Sequence, residues 1–412
     1  MQNRWHSALT RRLPRAAAVS ALAATLAAPA CSSDDNGDLA PTSDAEPSEP
    51  ADAAAAADAS LPDGHEFEVE VVAEGLARPW GMTFLPDGDA LVTERAGRLQ
   101  RIDLDTGEMT PISGVPEVFH SNQAGLLDVA LHPEFEANGW VYLTFAAAQG
   151  GNAATAVGRG QLDGDALNDF ETLFVAEPYL SGGRHMGSRI VFDEDGYLFV
   201  TTGDRGERDE AQNTENTIGA TLRLADDGSI PDDNPFVGDG DVADAIYSYG
   251  HRNAQGMAIE PATGRLWQVE HGPSGGDEIN LIQGGGNHGW PIATYGVEYS
   301  GGAPIGDLPH ERDDTVNPVY HWEPRDSFAP SGLAFYDGDI FPAWRGDLFV
   351  GSLVTRRLLR FTVDGDELAR AEVLFDARNE RVRDVRSGPD GYLYVIFDED
   401  PAQLVRLVPA DE

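Results

Sequence analysis

Two short polar clusters bracket one hairpin of the chain, and their residue types are those of chemistry. His251, Arg252 and Asn253 precede an apolar run. Glu270-His271-Gly272-Pro273 and then Asp277-Glu278 follow the next strand, Leu266-Trp267-Gln268-Val269. Similar clusters recur elsewhere: Gln123 before Ala124-Gly125, His185 between Arg184 and Met186-Gly187, Asp204 after Thr201-Thr202-Gly203, and Arg381 with Arg383. Histidine exchanges protons near neutral pH. Arginine holds a carboxylate through two parallel N–H donors.

Positioning these clusters falls to a repeat. From Phe67 onward one pattern recurs six times: a polar cluster, a small residue, alternating apolar residues, a turn of Pro, Asp and Gly, and a second β-rich strand. The copies begin near Arg78, Asn122, Arg184, Gly250, Ala329 and Arg381. A lone hairpin cannot bury both faces, but hairpins stacked round an axis can. The pattern therefore predicts an all-β fold, a six-bladed β-propeller of four-stranded antiparallel blades over 67–412, in preference to an open sandwich. No helix of length is expected. The excursions 205–246 and 292–326 are long enough to be functional. If the copies are equivalent, each polar cluster opens its first strand on one rim, and the tail of each second strand returns to that rim. Gln123, His185, Arg252, Asn253, Arg381 and Arg383 should then converge, with Asp204 and His271 nearby. Three arginines at one mouth need a counter-charge. Either acidic side chains or an anionic ligand with carboxylates could supply it.

At this point the strings Gln123-Ala124-Gly125-Leu126-Leu127, Gly203-Asp204, Leu222-Arg223, Asp227-Gly228-Ser229-Ile230-Pro231, Gly250-His251-Arg252-Asn253, Glu270-His271-Gly272-Pro273, Asp277-Glu278-Ile279-Asn280-Leu281 and Asn287-His288-Gly289-Trp290-Pro291 stand in one order. That order resembles the soluble PQQ-dependent glucose/sorbosone dehydrogenases, of aldose sugar dehydrogenase type, from about Phe67 to Val408. The resemblance implies oxidation of aldoses to lactones, by hydride transfer from the sugar C1 to pyrroloquinoline quinone, with Ca²⁺ as a second cofactor. It makes His185 the general base, Asp204 its orienting partner and Arg252 the stabiliser of charge on the quinone oxygen. Gln123, Asn253, Ser327, Arg381 and Arg383 become contacts to cofactor or substrate. The carbonyls of Gly272 and Pro273 become ligands to the calcium that also grips the quinone. Glu278 and the carbonyl of His288 become a second, structural calcium site. One departure stands out: the lysine usual in the family falls at Val354, and the chain has no lysine, so Arg356 is the nearest substitute. His271 replaces a glutamine found in some relatives. A non-catalytic cell-surface propeller binding protein or glycan is the alternative, and a calcium-dependent lactonase a third.

Composition limits the partners. The chain has 412 residues, with 28 arginines against 70 acids and a net charge of −42. So acidic a chain is a poor partner for nucleic acid or for an anionic membrane surface. Residues 1–31 read as an export signal of lipoprotein type: Arg4, Arg11, Arg12 and Arg15 with no acid, an apolar run, and Ala28-Pro29-Ala30-Cys31. Ala28-x-Ala30 equally suits an ordinary signal peptidase. A lipid on Cys31 would place the protein in the periplasm or on the outer membrane. Residues 32–66 read as an acidic disordered tether. A sugar substrate and an unidentified electron acceptor are the implied partners. Among residues left without a role, His132 reads as a turn residue, Trp80 and Trp290 as core, and Tyr295 and Tyr299 as loop residues. Asp277 and Glu278 could instead be a solvated acidic pair.

Overall fold

The computed structural model describes residues 66–410. The export signal and the tether up to residue 65 lie outside the described residues. β1 (Phe67–Leu76) opens the described chain, and six antiparallel sheets follow. Blade one is β2 (Pro79–Phe84), β3 (Ala90–Glu94), β4 (Arg98–Ile102) and β5 (Met109–Ile112). Blade two is β6 (Leu126–Leu131), β7 (Trp140–Gln149), β8 (Asn152–Asp163) and β9 (Ala166–Val175), with the two-residue β10 (Leu180–Ser181) as a fifth strand on β8. Blade three is β11 (Gly187–Phe192), β12 (Leu198–Thr202), β13 (Ala220–Leu224) and β14 (Ile246–Tyr249). Blade four is β15 (Ala254–Ile259), β16 (Leu266–Glu270), β17 (Glu278–Leu281) and β18 (Tyr320–His321). Blade five is β19 (Pro330–Phe335), β20 (Leu348–Ser352), β21 (Leu358–Asp364) and β22 (Glu367–Leu374). Blade six is β23 (Val382–Ser387), β24 (Leu393–Phe397) and β25 (Ala402–Pro409), completed by β1 in the order β1-β25-β24-β23.

The six hairpins read from the sequence are the two inner strands of each blade. The innermost strands β2, β6, β11, β15, β19 and β23 neighbour one another round the axis. Helix is confined to α1 (Phe135–Asn138) and three short 3₁₀ turns among the described residues. Apolar side chains fill the spaces between blades, as where Trp267 and Val269 of blade four meet Leu333, Phe335 and Val350 of blade five.

Each innermost hairpin carries a register shift in its first rungs, between Pro79 and Met82, Leu126 and Val129, Gly187 and Ile190, Ala254 and Gly256, Pro330 and Leu333, and Val382 and Asp384. A bulge twists a strand and re-aims its side chains, and here all six lie at the rim end. Three threonines link these bulges across the first four blades. Thr93, Thr144 and Thr201 accept from the amides of Gly81, Asp128 and Arg189 in the bulge of their own blade. Each donates to a carbonyl in the next blade: Leu127, Ser188 and Ala254. The axis itself is pinned by charge. Arg189 of blade three bonds Asp128 of blade two at 3.0 Å and Asp384 of blade six at 3.1 Å. Arg386 closes the square at 3.4 and 3.1 Å. Arg189, Asp128 and Asp384 are fully buried.

Candidate functional site at the rim

His185 lies two residues before β11 and its bulge, with a left-handed φ of 48°. That conformation costs a non-glycine residue about 1–2 kcal/mol, and it is held by a hydrogen bond from the His185 amide to Gln123 Oε1 at 2.9 Å. Its Nδ1 lies 2.6 Å from Asp204 Oδ1. Asp204 hangs just past the end of β12. It also accepts from the Gly206 amide at 2.7 Å and from the indole N–H of Trp290 at 2.8 Å. Burial works to raise the Asp204 carboxyl, but the hydrogen bond and charge of His185, with Arg252, outweigh it and leave it below the ordinary range. An ionised carboxylate only accepts, so Nδ1 carries the proton and Nε2 is left basic. Burial first, and then the charge of Arg252, push His185 below the usual histidine value against the pull of Asp204.

Arg252 stands beside this pair. Its amide donates to Glu270 Oε2 at 2.7 Å, and its carbonyl accepts from the Asp204 amide at 2.8 Å. The guanidinium donates to the carbonyls of His271 (3.0 Å) and Gly272 (2.7 Å) and to the Tyr299 hydroxyl (3.1 Å), and lies 5.4 Å from the Trp290 ring centroid. Asn253 Oδ1 accepts from the Gly187 amide at 3.2 Å, and its amide nitrogen is 3.4 Å from His271 Nδ1. His271 donates from Nε2 to the Pro330 carbonyl at 2.8 Å, and burial with the Arg252 charge pushes it down to about 3. Gln123, His185, Asp204, Arg252, Asn253 and His271 are thus one connected cluster; Arg381 and Arg383, expected to converge with them, bond other residues.

Arg381 and Arg383 form a second cluster on blade six. Both meet Asp398, at 3.1 and 3.7 Å, and Arg381 also donates to the Leu353 carbonyl. Arg383 donates to Gln255 Oε1 at 2.9 Å. Burial pushes Arg383 down to about 10. The counter-charge is therefore an acid, but it is outnumbered. Arg383, Arg381 and Arg95 all act on the one carboxylate of Asp398. Arg95 Nε and Arg383 Nε are buried without a hydrogen-bond partner among the described residues. This surplus of buried donors fits a ligand with several carboxylates.

Calcium divides into two cases. Among the described residues no cluster of three or more His, Cys, Asp or Glu is arranged to hold a metal. The Gly272 carbonyl, expected as a ligand together with Pro273, faces the Arg252 guanidinium instead. That hydrogen bond takes one lone pair of the oxygen and leaves the other. Around Glu278 the lining is acidic. Glu278 and Glu270 are both buried and share one donor, Asn280 Nδ2, at 3.2 and 3.0 Å. Burial first and then Glu270 push the Glu278 carboxyl well up. Two such carboxylates call for a proton or a cation, and both line a cavity of about 10 Å³ with His288, Gly276 and Thr294. His288 stacks on His251 at 4.7 Å. Neither Asp277 nor Glu278 is solvated. Asp277 accepts from the amides of Gly272, Phe328 and Ala329 and is pushed up to about 6 by burial.

Other residues find plainer places. Ser327 Oγ accepts from the Gly275 amide at 3.1 Å, tying it to the turn after Gly272. Arg356 donates to the Asn379 carbonyl rather than joining Arg381 and Arg383. His132 bonds the Glu134 amide at 2.9 Å in its turn. Trp290, read as core, holds Asp204. Arg95 and Asp398 were missed, and Glu270 was named in its cluster without a role, although each sits at the tail of a second strand, where the rim rule applied to all six blades points to it.

The family described as Glucose / Sorbosone dehydrogenase matches residues 76–406. Aldose sugar dehydrogenase YliI of Escherichia coli (strain K12) is 44% identical over 83% of this chain and 92% of its own. Quinoprotein glucose dehydrogenase B of Acinetobacter calcoaceticus is 30% identical over 81% of this chain and 85% of its own. Among solved structures, the apo form of the soluble aldose sugar dehydrogenase of E. coli superposes with a TM-score of 0.80 at 43% identity, covering 84% of this chain and 100% of that one. The PQQ-bound aldose sugar dehydrogenase of Streptomyces coelicolor does so with a TM-score of 0.68 at 29% identity, covering 84% and 99%. The six blades, the rim cluster and these matches together place the chain in the glucose/sorbosone dehydrogenase family.

Proposed function

We propose that this protein oxidises aldose sugars to lactones with PQQ as its cofactor, in the envelope of a cell that exports it. One observation carries the reading: a half-buried His185 bonded to a buried Asp204 shares its rim with several guanidiniums that act on one carboxylate, Asp398. PQQ, when bound, supplies the two-electron acceptor for hydride from the sugar C1. His185 Nε2 takes the proton of the C1 hydroxyl, its tautomer fixed by Asp204 and Trp290. Arg252 contributes positive charge next to that proton transfer, and Gln123 and Asn253 hold the backbone at His185 and Gly187 in place. Arg381 and Arg383 hold the anionic edge of the cofactor. Calcium belongs at Glu270 and Glu278, as a structural ion behind Arg252.

The test adds PQQ and Ca²⁺ to purified apoprotein and follows dye reduction with several aldoses. Sugar-dependent reduction that disappears in His185→Ala supports the reading. Absence of cofactor uptake at micromolar PQQ would leave a non-catalytic propeller in its place.

A further inference from the structure

The chain contains no lysine, and Val354, at the place where the resemblance expects one, is 52% exposed and apolar. Arg356 is committed elsewhere, to the Asn379 carbonyl. A third cation comes instead from the other side of the blade-six cluster. Arg95 follows the last residue of β3. Its amide donates to the Arg78 carbonyl at 3.1 Å and its carbonyl accepts from the Leu126 amide at 3.0 Å. Gly125 packs against it so closely that a Cβ there would stand 2.0 Å from the Arg95 carbonyl oxygen. The backbone of Arg95 is therefore clamped between blades one and two.

Its side chain acts on Asp398 and Arg381, while burial and the neighbouring arginines lower its own affinity for a proton. Arg95 Nε has no partner, and neither do Arg383 Nε and Asp398 Oδ1, among the described residues. Three guanidiniums, those of Arg383, Arg381 and Arg95, thus act on the Asp398 carboxylate. Burying donors without partners is costly, and an anion with separated carboxylates relieves that cost at the two Nε donors.

We propose that Arg95 is the third guanidinium gripping the carboxylate edge of PQQ, in the role that lysine plays in its relatives. This rests on the reading of the protein as a PQQ enzyme. Blade one thus helps blade six to hold the carboxylate edge of the cofactor.

The experiment is equilibrium dialysis of the full chain against PQQ and against its trimethyl ester, without sugar. In Arg95→Gln the free acid should bind ~10–100-fold more weakly, equivalent to roughly 1.4–2.8 kcal/mol, while the ester changes little. Adding Val354→Lys to that variant should restore most of the loss. Arg95→Lys, which keeps the charge and loses the fork, should show a few-fold loss for the acid alone, and it serves if Arg95→Gln does not fold. An unchanged acid-to-ester ratio in both single variants, whatever their melting temperatures, overturns the role of Arg95. A wild-type protein that takes up neither compound overturns the PQQ reading itself.

Discussion

His185 is set up as a base by its surroundings rather than by its type. Burial and Arg252 lower its affinity for a proton, and Asp204 partly restores it. The imidazole is active when neutral, so activity falls as pH drops through its folded value, which lies below 6.5. The acid limb of kcat/KM should therefore lie lower than that of an ordinary histidine. Asp204→Asn removes the group that raises His185, so its acid limb should move lower still, with the plateau reduced on the order of 10²-fold. Trp290→Phe keeps the ring and deletes the N–H to Asp204. A hydrogen bond to a charged group is worth about 1.5–3 kcal/mol to the fold, so the variant should unfold at a lower temperature by that order and also show a lower kcat, because Asp204 loses one of the donors that orient it. His185, Arg252 and Asp204 were legible because they open or close strands whose repeat is visible. Trp290 was not, because its contribution is one indole N–H reaching Asp204 from a loop 86 residues away in sequence, and no periodicity encodes that. The contact from Arg252 to the Gly272 carbonyl was hidden for a related reason: the chain alone does not say which neighbour reaches an oxygen.

At the level of elements, the inner hairpins announce themselves through alternation and Asp/Gly turns, as in Asp193–Gly196 between β11 and β12. The outer strands do not. β18 has two residues, β13 and β14 are separated by a long excursion, and β10 adds a fifth strand to blade two. β1 is the extreme case. Its rungs join Phe67 to Pro409 and Glu70 to Arg406, a pairing across nearly the whole chain that local pattern cannot reveal. Leu76 at its end is fully buried against blades one and six. Leu76→Ala should cost about 2–5 kcal/mol, read as a shift in the urea midpoint without a change in slope. That loss would mark β1 as part of the cooperative unit and not a loose leader.

For the whole molecule, the six-fold repeat in the sequence is enough to fix the architecture, while the axis carries something the repeat leaves out. Arg189, Asp128, Asp384 and Arg386 bind three blades through charges that apolar patterning cannot show. Asp384 also accepts from the Met82 amide of blade one. Arg189→Met leaves two buried carboxylates with one guanidinium, and should lower the unfolding free energy by roughly 3–5 kcal/mol. Because the site is buried, 1 M salt should not recover the loss, although it screens the acidic exterior. Calorimetry at low and high salt checks both statements.

The meeting of β1 with β25 also decides how the molecule answers to mechanical load. The Ala410 amide bonds the Glu66 carbonyl at 3.1 Å, and Phe67 faces Pro409. Both ends of the described fold therefore leave from one corner. A pull between them does not shear β1 along its neighbour, which would strain every rung together. It opens the rungs one after another, like a zip, starting at Phe67 and ending at Leu76. In an optical trap this propeller should yield first by peeling a single strand at low force, with the other five blades still closed.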